Sequence, residues 1–154
     1  MLENNKNGYF PYTPATNLLY GLNEALEILF EEGLENVFKR HKKLAEATRI
    51  AVNAWGLEIL CKNKDEYSDS LTAALVPEGY DADNLRKIIL DNYNMSLGTG
   101  LSKMKGKIFR IGHLGDFNEL MLAGTLAGIE MGLKNSKIPY KPGGIMSALN
   151  FLSK

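Results

Sequence analysis

The sequence predicts an α+β domain: a small, mainly antiparallel sheet with helices packed on one face. Three observations carry that expectation. Helical and strand-like apolar periods alternate in the order helix, helix, strand, strand, helix, strand, strand, helix. The strand-like runs are short and bounded by turn-forming residues. One of them, Lys107-Ile108-Phe109-Arg110-Ile111-Gly112-His113-Leu114-Gly115, alternates so that Phe109 and Ile111 face one side and Ile108 and Arg110 the other.

The elements follow in chain order. Gly8-Tyr9-Phe10-Pro11-Tyr12-Thr13-Pro14 is too rich in proline for a helix and too stiff for a random tail, so it reads as an ordered loop. Thr13 before Pro14 is a helix-start signal, with the threonine as cap, and the helix is expected to run to about Glu32, with Leu18, Leu22, Ala25 and Leu29 on one face. Leu19 and Leu26 widen that stripe, which suggests contact with more than one surface. Gly33 breaks it, and a longer helix runs from Leu34 to Trp55 along Val37, His41, Leu44, Thr48, Ala51 and Trp55 until Gly56 stops it. His41 lies on the apolar stripe and reads as a packed, hydrogen-bonded residue.

Leu57–Cys61 and Ser70–Val76 read as strands, and Pro77-Glu78-Gly79-Tyr80 as a turn. Asp81 caps a short helix with Leu85, Ile88 and Ile89 inward. Met95-Ser96-Leu97 reads as a brief strand and Gly98-Thr99-Gly100 as a flexible loop. That glycine pair is poor evidence for phosphate binding, since no helix begins directly after it. The last long helix is expected from near Asp116 to about Leu133, with Glu119 completing a partial capping box. Gly124, Gly128 and Gly132 recur on one of its faces, each costing about 1 kcal/mol against alanine, so close approach to a sheet is expected there. Ile145 to Leu152 reads as a short terminal helix. The expected organisation is an ordered loop from a domain junction over residues 1–13, an α+β small domain over 14–134, and a tail with a short helix over 135–154.

Composition excludes several classes. The 154 residues are enough for one core, and 18 basic side chains balance 18 acidic ones, so no overall field recruits nucleic acid or an anionic membrane. Binding to either is not expected. No apolar run approaches the roughly 20 residues needed to cross a bilayer, and the first residues do not resemble a secretory signal, so a cytoplasmic location is expected. Cys61 is the one cysteine and has no Cys or His near it in sequence, which leaves no disulfide within the chain and no expected metal site. It reads as a half-buried strand thiol.

Arg110 is the residue that points to chemistry. A permanent cation in the middle of a buried-looking strand requires a carboxylate or phosphate partner, and no helix is left to cover its side of the sheet. Together with the apolar first helix, this suggests a partner outside the chain.

Three stretches carry a resemblance. They are Tyr9-Phe10-Pro11-Tyr12-Thr13-Pro14-Ala15-Thr16-Asn17-Leu18-Leu19-Tyr20-Gly21-Leu22, then Glu32-Gly33-Leu34-Glu35-Asn36-Val37-Phe38 with Arg40-His41, and Phe109-Arg110-Ile111-Gly112-His113-Leu114-Gly115-Asp116-Phe117. In order and spacing they closely resemble the C-terminal part of class V aminotransferases, and within that family the branch that transfers an amino group to glyoxylate from serine or alanine. The resemblance implies a pyridoxal-phosphate enzyme of the aspartate-aminotransferase fold, a homodimer acting on small amino and keto acids. It implies that Arg110 forms a bidentate pair with the substrate carboxylate. Thr13 is then similar to a threonine that reaches the cofactor phosphate of the neighbouring subunit. The tyrosine three residues before it in the alanine-using relatives falls here on Phe10, which has no hydroxyl, and Tyr12 is the substitute donor. The Schiff-base lysine belongs in the family to a large domain preceding this segment, and Lys103, Lys105 and Lys107 stand in no matching context. No catalytic residue is therefore expected in this chain, and no turnover or tight cofactor binding by it alone. The alternative expectation is a stand-alone, non-catalytic binding or oligomerisation module derived from the same domain.

Overall fold

Caps and breakers in the sequence set where most helices begin and end. The computed structural model describes residues 2–154. Its elements are helices α1 (Leu2–Lys6), α2 (Thr16–Glu32), α3 (Leu34–Ala54), α4 (Ala82–Tyr93), α5 (Glu119–Ser136) and α6 (Gly144–Leu152), with strands β1 (Glu58–Ile59), β2 (Leu71–Leu75), β3 (Gly98–Thr99) and β4 (Ile108–Gly112). The chain forms two units, one ending at Phe38 and the other spanning Lys39–Lys154.

In the first unit, the stretch expected as a loop begins with the short helix α1. Thr13 does not cap α2. The carbonyl of Ala15 accepts from the N–H groups of Leu18 and Leu19 at 3.0 and 3.1 Å, so Ala15 is the N-cap, and no side chain caps the helix. Pro14 instead closes a turn, its carbonyl accepting from Thr16 N–H at 2.9 Å. Gly33 ends α2 with φ +83°, a conformation glycine adopts without strain. No residue of α2 is buried, and Leu18, Leu19, Tyr20, Leu22, Leu26 and Phe30 are exposed.

In the second unit the sheet order is β1-β2-β4-β3, with every neighbouring pair antiparallel. The core is one cluster. Leu44 and Ala51 of α3, Trp55 just beyond it, Leu85 and Ile89 of α4, Leu122, Leu126, Ile129 and Leu133 of α5, and Ala148 of α6 join Ala74, Phe109 and Ile111 of the sheet, each fully buried. The helices thus cover one face, as an α+β layer arrangement requires. Two boundaries and one packing partner differ from the sequence expectation. Met95–Leu97 is not a strand; the strand is Gly98–Thr99, which pairs with Arg110 and Phe109. Asn118 rather than Asp116 caps α5, its side chain accepting from Met121 N–H at 2.9 Å, because residues 113–117 are used in a separate connection. The glycine stripe of α5 faces a helix, not the sheet: a Cβ on Gly132 would collide with Ile89 of α4, one on Gly128 with Met95, and one on Gly124 would meet open space.

Glu130 of α5 fastens the end of the chain. Its carboxylate accepts from the Trp55 indole N–H at 2.8 Å, from Gly143 N–H at 2.8 Å and from Ile145 N–H at 3.0 Å. The last two are free donors at the start of α6, where a carboxylate is well placed. Gly144 sits against the Trp55 ring with no room for a Cβ.

Candidate functional site

Arg110 occupies the middle of β4, with Ala73 of β2 opposite it on one side and Gly98 of β3 on the other. Phe109 and Ile111 point into the core, so Arg110 rises from the face that the helices leave open. That face is partly lined by the chain itself. Gly100 lies beside the Met104 carbonyl and Ile108 Cγ1, and Ile108 is buried. Arg110, in contrast, is the one long side chain in the row Ala73–Arg110–Gly98. It lies over β3 so closely that a Cβ on Gly98 would come within 3.0 Å of its Cβ and Nε and 3.5 Å of its Cζ.

Among the described residues the guanidinium has no partner. Its Nε is shut away from solvent without a hydrogen bond, and its Nη atoms enter none of the hydrogen bonds or ion pairs among the described residues. Leaving a charged donor set unpaired costs several kcal/mol when it is desolvated. A planar cation that stays half-buried and unmatched among the described residues can receive an anion through parallel hydrogen bonds.

β3, against which Arg110 rests, is fixed from the helix side. Thr99 Oγ1 donates to Asp83 Oδ1 at 2.9 Å, Arg86 Nη1 donates to the same oxygen at 2.9 Å, and Arg86 Nε donates to the Leu97 carbonyl at 2.8 Å. The Thr99 hydroxyl, and then Arg86, hold the Asp83 carboxyl below its ordinary range against the opposing effect of burial. None of these three residues stood out in the sequence, because only the fold brings α4 beside Gly98. The glycine pair Gly98 and Gly100 was the one available signal.

The exit of β4 is fixed as well. Buried His113 lies between the Thr72 hydroxyl, 2.9 Å from Nε2, and the Asp69 carbonyl, 3.1 Å from Nδ1. A carbonyl only accepts, so Nδ1 carries the proton and Nε2 accepts from the hydroxyl. Burial pushes the His113 pKa down despite the Asp69 carbonyl. Beyond it, Gly115 has φ +83° and is gripped by α3: Arg40 Nη1 donates to the carbonyls of Gly115 and Phe117 at 2.7 and 2.9 Å, and His41 Nε2 accepts from Gly115 N–H at 3.0 Å. His41 is thus the hydrogen-bonded structural residue that its sequence position suggested.

The other predicted contacts, Thr13 and Tyr12, lie in the first unit and are exposed. Because Ala15 has taken the capping position, the Thr13 hydroxyl is left without a hydrogen bond. Lys103, Lys105 and Lys107 are exposed, as expected of a solvated turn. Cys61 lies just past β1, half-buried, its Sγ 3.3 Å from the Asn63 carbonyl. No cluster of metal-ligating side chains occurs among the described residues.

Known proteins share much of the sequence and the fold. Serine–glyoxylate aminotransferase of Methylorubrum extorquens is 54% identical over 151 residues, which are 97% of this chain and 38% of that protein. The enzyme of the same name from Arabidopsis thaliana is 51% identical over 146 residues, 94% of this chain and 36% of that one. This chain belongs to the class V aminotransferases. Among solved structures, pyridoxamine–pyruvate aminotransferase from Mesorhizobium loti superimposes with a TM-score of 0.87 at 30% identity, over 94% of this chain and 37% of that one. Ureidoglycine–glyoxylate aminotransferase from Bacillus subtilis gives 0.86 at 28% identity, over 93% and 37%. No protein-family model matches. The chain spans less than two-fifths of the length of these relatives, and the match is to their C-terminal part. No helix among the described residues is long and apolar enough to cross a membrane.

Proposed function

We propose that this chain is the substrate-carboxylate domain of a pyridoxal-phosphate aminotransferase that moves an amino group from serine, or alanine, to glyoxylate. The observation that carries the reading is the unpaired Arg110 guanidinium on the open sheet face. Both substrates of such a reaction carry a carboxylate, and a planar guanidinium can receive each of them through two parallel hydrogen bonds. Arg110 would hold the carboxylate while the reacting carbon faces a large domain, supplied by the same or a separate polypeptide. When bound, pyridoxal phosphate supplies the electron sink for the reaction. The residues here fit one edge of its phosphate: the exposed, unbonded Thr13 hydroxyl is a ready donor, and the Tyr12 hydroxyl a second. They form no pocket by themselves, so the remaining contacts and the Schiff-base lysine come from the large domain and, in a cytoplasmic homodimer, from the second subunit. Residues 1–13 then form the junction, 14–134 the small domain and 135–154 its tail.

The test is a chimera in which this chain replaces the matching segment of the Methylorubrum extorquens enzyme, assayed with serine and glyoxylate. The chimera is expected to produce hydroxypyruvate and glycine, and the isolated chain to produce neither. Arg110→Ala is expected to lower kcat/KM by about 100-fold or more, the loss of a bidentate charged pair. Turnover by the isolated chain would overturn its inactivity, and an active chimera indifferent to Arg110→Ala would overturn the role of the arginine. A folded chimera that binds pyridoxal phosphate without turnover would favour the non-catalytic module.

A further inference from the structure

We infer that Gly98 is a positioning residue for Arg110: the missing side chain makes a slot in β3 in which the guanidinium lies flat, sealing Nε and leaving its Nη end for the carboxylate. The inference rests on the proposed role of Arg110 and adds a second residue to it.

Register places Gly98 directly opposite Arg110, with Ala73 on the other flank. A residue with a Cβ at position 98 would meet Arg110 Cβ and Nε at 3.0 Å and Cζ at 3.5 Å. The contact with Nε could be relieved by swinging the side chain, but Arg110 Cβ is fixed by the backbone of β4. Relief therefore requires either that β3 move away or that the guanidinium tip out of its plane. β3 is not free to move, since Thr99 is tied to Asp83, and Arg86 bridges Asp83 and the Leu97 carbonyl. The neighbouring Gly100 is also packed against the Met104 carbonyl. The strand is a fixed floor, so the guanidinium is the part that yields.

Conformational freedom is not the reason for glycine here. Gly98 is absent from the positions with positive φ, so a larger residue is permitted by the backbone and opposed by the close approach of Arg110. The orphaned Nε follows from the same geometry: β3 covers it, and β3 offers it no acceptor. That leaves a half-buried cation with its Nε sealed and its rotation restricted before any ligand arrives. Such restriction lowers the ordering cost of binding.

The experiment has two parts. In the isolated chain, solvent exchange of the Arg110 Nε–H is followed by NMR at mildly acidic pH. It is expected to be slow, and at least about 10-fold faster in Gly98→Ala while core amides keep their protection. Equal rates in the two proteins would overturn the slot. In the chimera, Gly98→Ala is expected to raise KM for serine and for glyoxylate by about 10-fold with a smaller change in kcat, and to add nothing once Arg110→Ala is present. An unchanged KM in an active chimera that responds to Arg110→Ala would sink the positioning role and leave the carboxylate reading intact. Indifference to Arg110→Ala itself would sink that reading first. An effect of Gly98→Ala that persists undiminished beside Arg110→Ala would assign Gly98 to strand packing and overturn the inference.

Discussion

The charged residues of the second unit divide by whether the fold satisfies them. Arg49 is buried and fully engaged, donating to Glu46 and to the Ser68 carbonyl and stacking over Tyr67 with its guanidinium carbon 5.1 Å from the ring centroid. Arg110 has no partner among the described residues. Its unusual place could be read from the sequence, because a cation inside an alternating strand is anomalous on its face. Gly98 could not be recognised in the same way: a glycine between Leu97 and Thr99 looks like loop chemistry until register sets it against Arg110. His113 carries a prediction at this scale. Burial depresses its folded-state pKa below the ordinary 6.5, so between the two values the unfolded chain binds more protons than the folded one. The stabilisation is present above pH 6.5 and is lost as pH falls through 6.5 toward the folded pKa. Urea unfolding midpoints should drop from pH 7.5 to pH 5.5, and His113→Gln should flatten that slope. An equally steep slope in the variant would show that another group is responsible.

Among the elements, helices were legible where a stripe and a cap agree. Asp81 capping α4 and Gly33 ending α2 stand where the sequence put them, and Leu44, Thr48 and Ala51 form the buried stripe of α3, which Trp55 continues just past its end. The start of α5 was misplaced because Asp116 and Asn118 are both good caps, and only the grip of Arg40 and His41 on Gly115 decides between them. β1 and β3 are two residues each, too short for any alternation to show. The partner of the α5 glycines was missed because one face of small residues fits a helix as well as a sheet. Glu130 was unmarked in the sequence, yet it joins α3, α5 and α6. Burial raises its pKa, and the hydrogen bonds from Trp55, Gly143 and Ile145 outweigh that and leave it lowered. The stabilisation is therefore present above the ordinary carboxylate range and lost as pH falls below it. Glu130→Ala should cost about 2–4 kcal/mol in urea unfolding at pH 7, since it strands a buried indole donor and frees two donors of α6. A loss below about 0.5 kcal/mol, the usual effect of a surface change, would refute the staple.

Taken whole, the chain presents far more apolar surface at α2 than an independent domain needs: Leu18 is 75% exposed, Tyr20 76% and Phe30 68%. Patches of that kind promote association. In isolation the protein should therefore sediment as a concentration-dependent mixture, and replacing Leu18, Tyr20 and Phe30 together with Ser should shift it toward monomer. A single monomeric boundary at high concentration would count against α2 as an adhesive surface. The sheet tells what form such association takes. Its two edges, β1 and β3, offer only two residues each, while the longer strands β2 and β4 pair with each other along their whole length. An edge so short gives an incoming strand almost no template. The chain should therefore cluster by side-chain contact, in assemblies that disperse on dilution, and should not seed cross-β fibres.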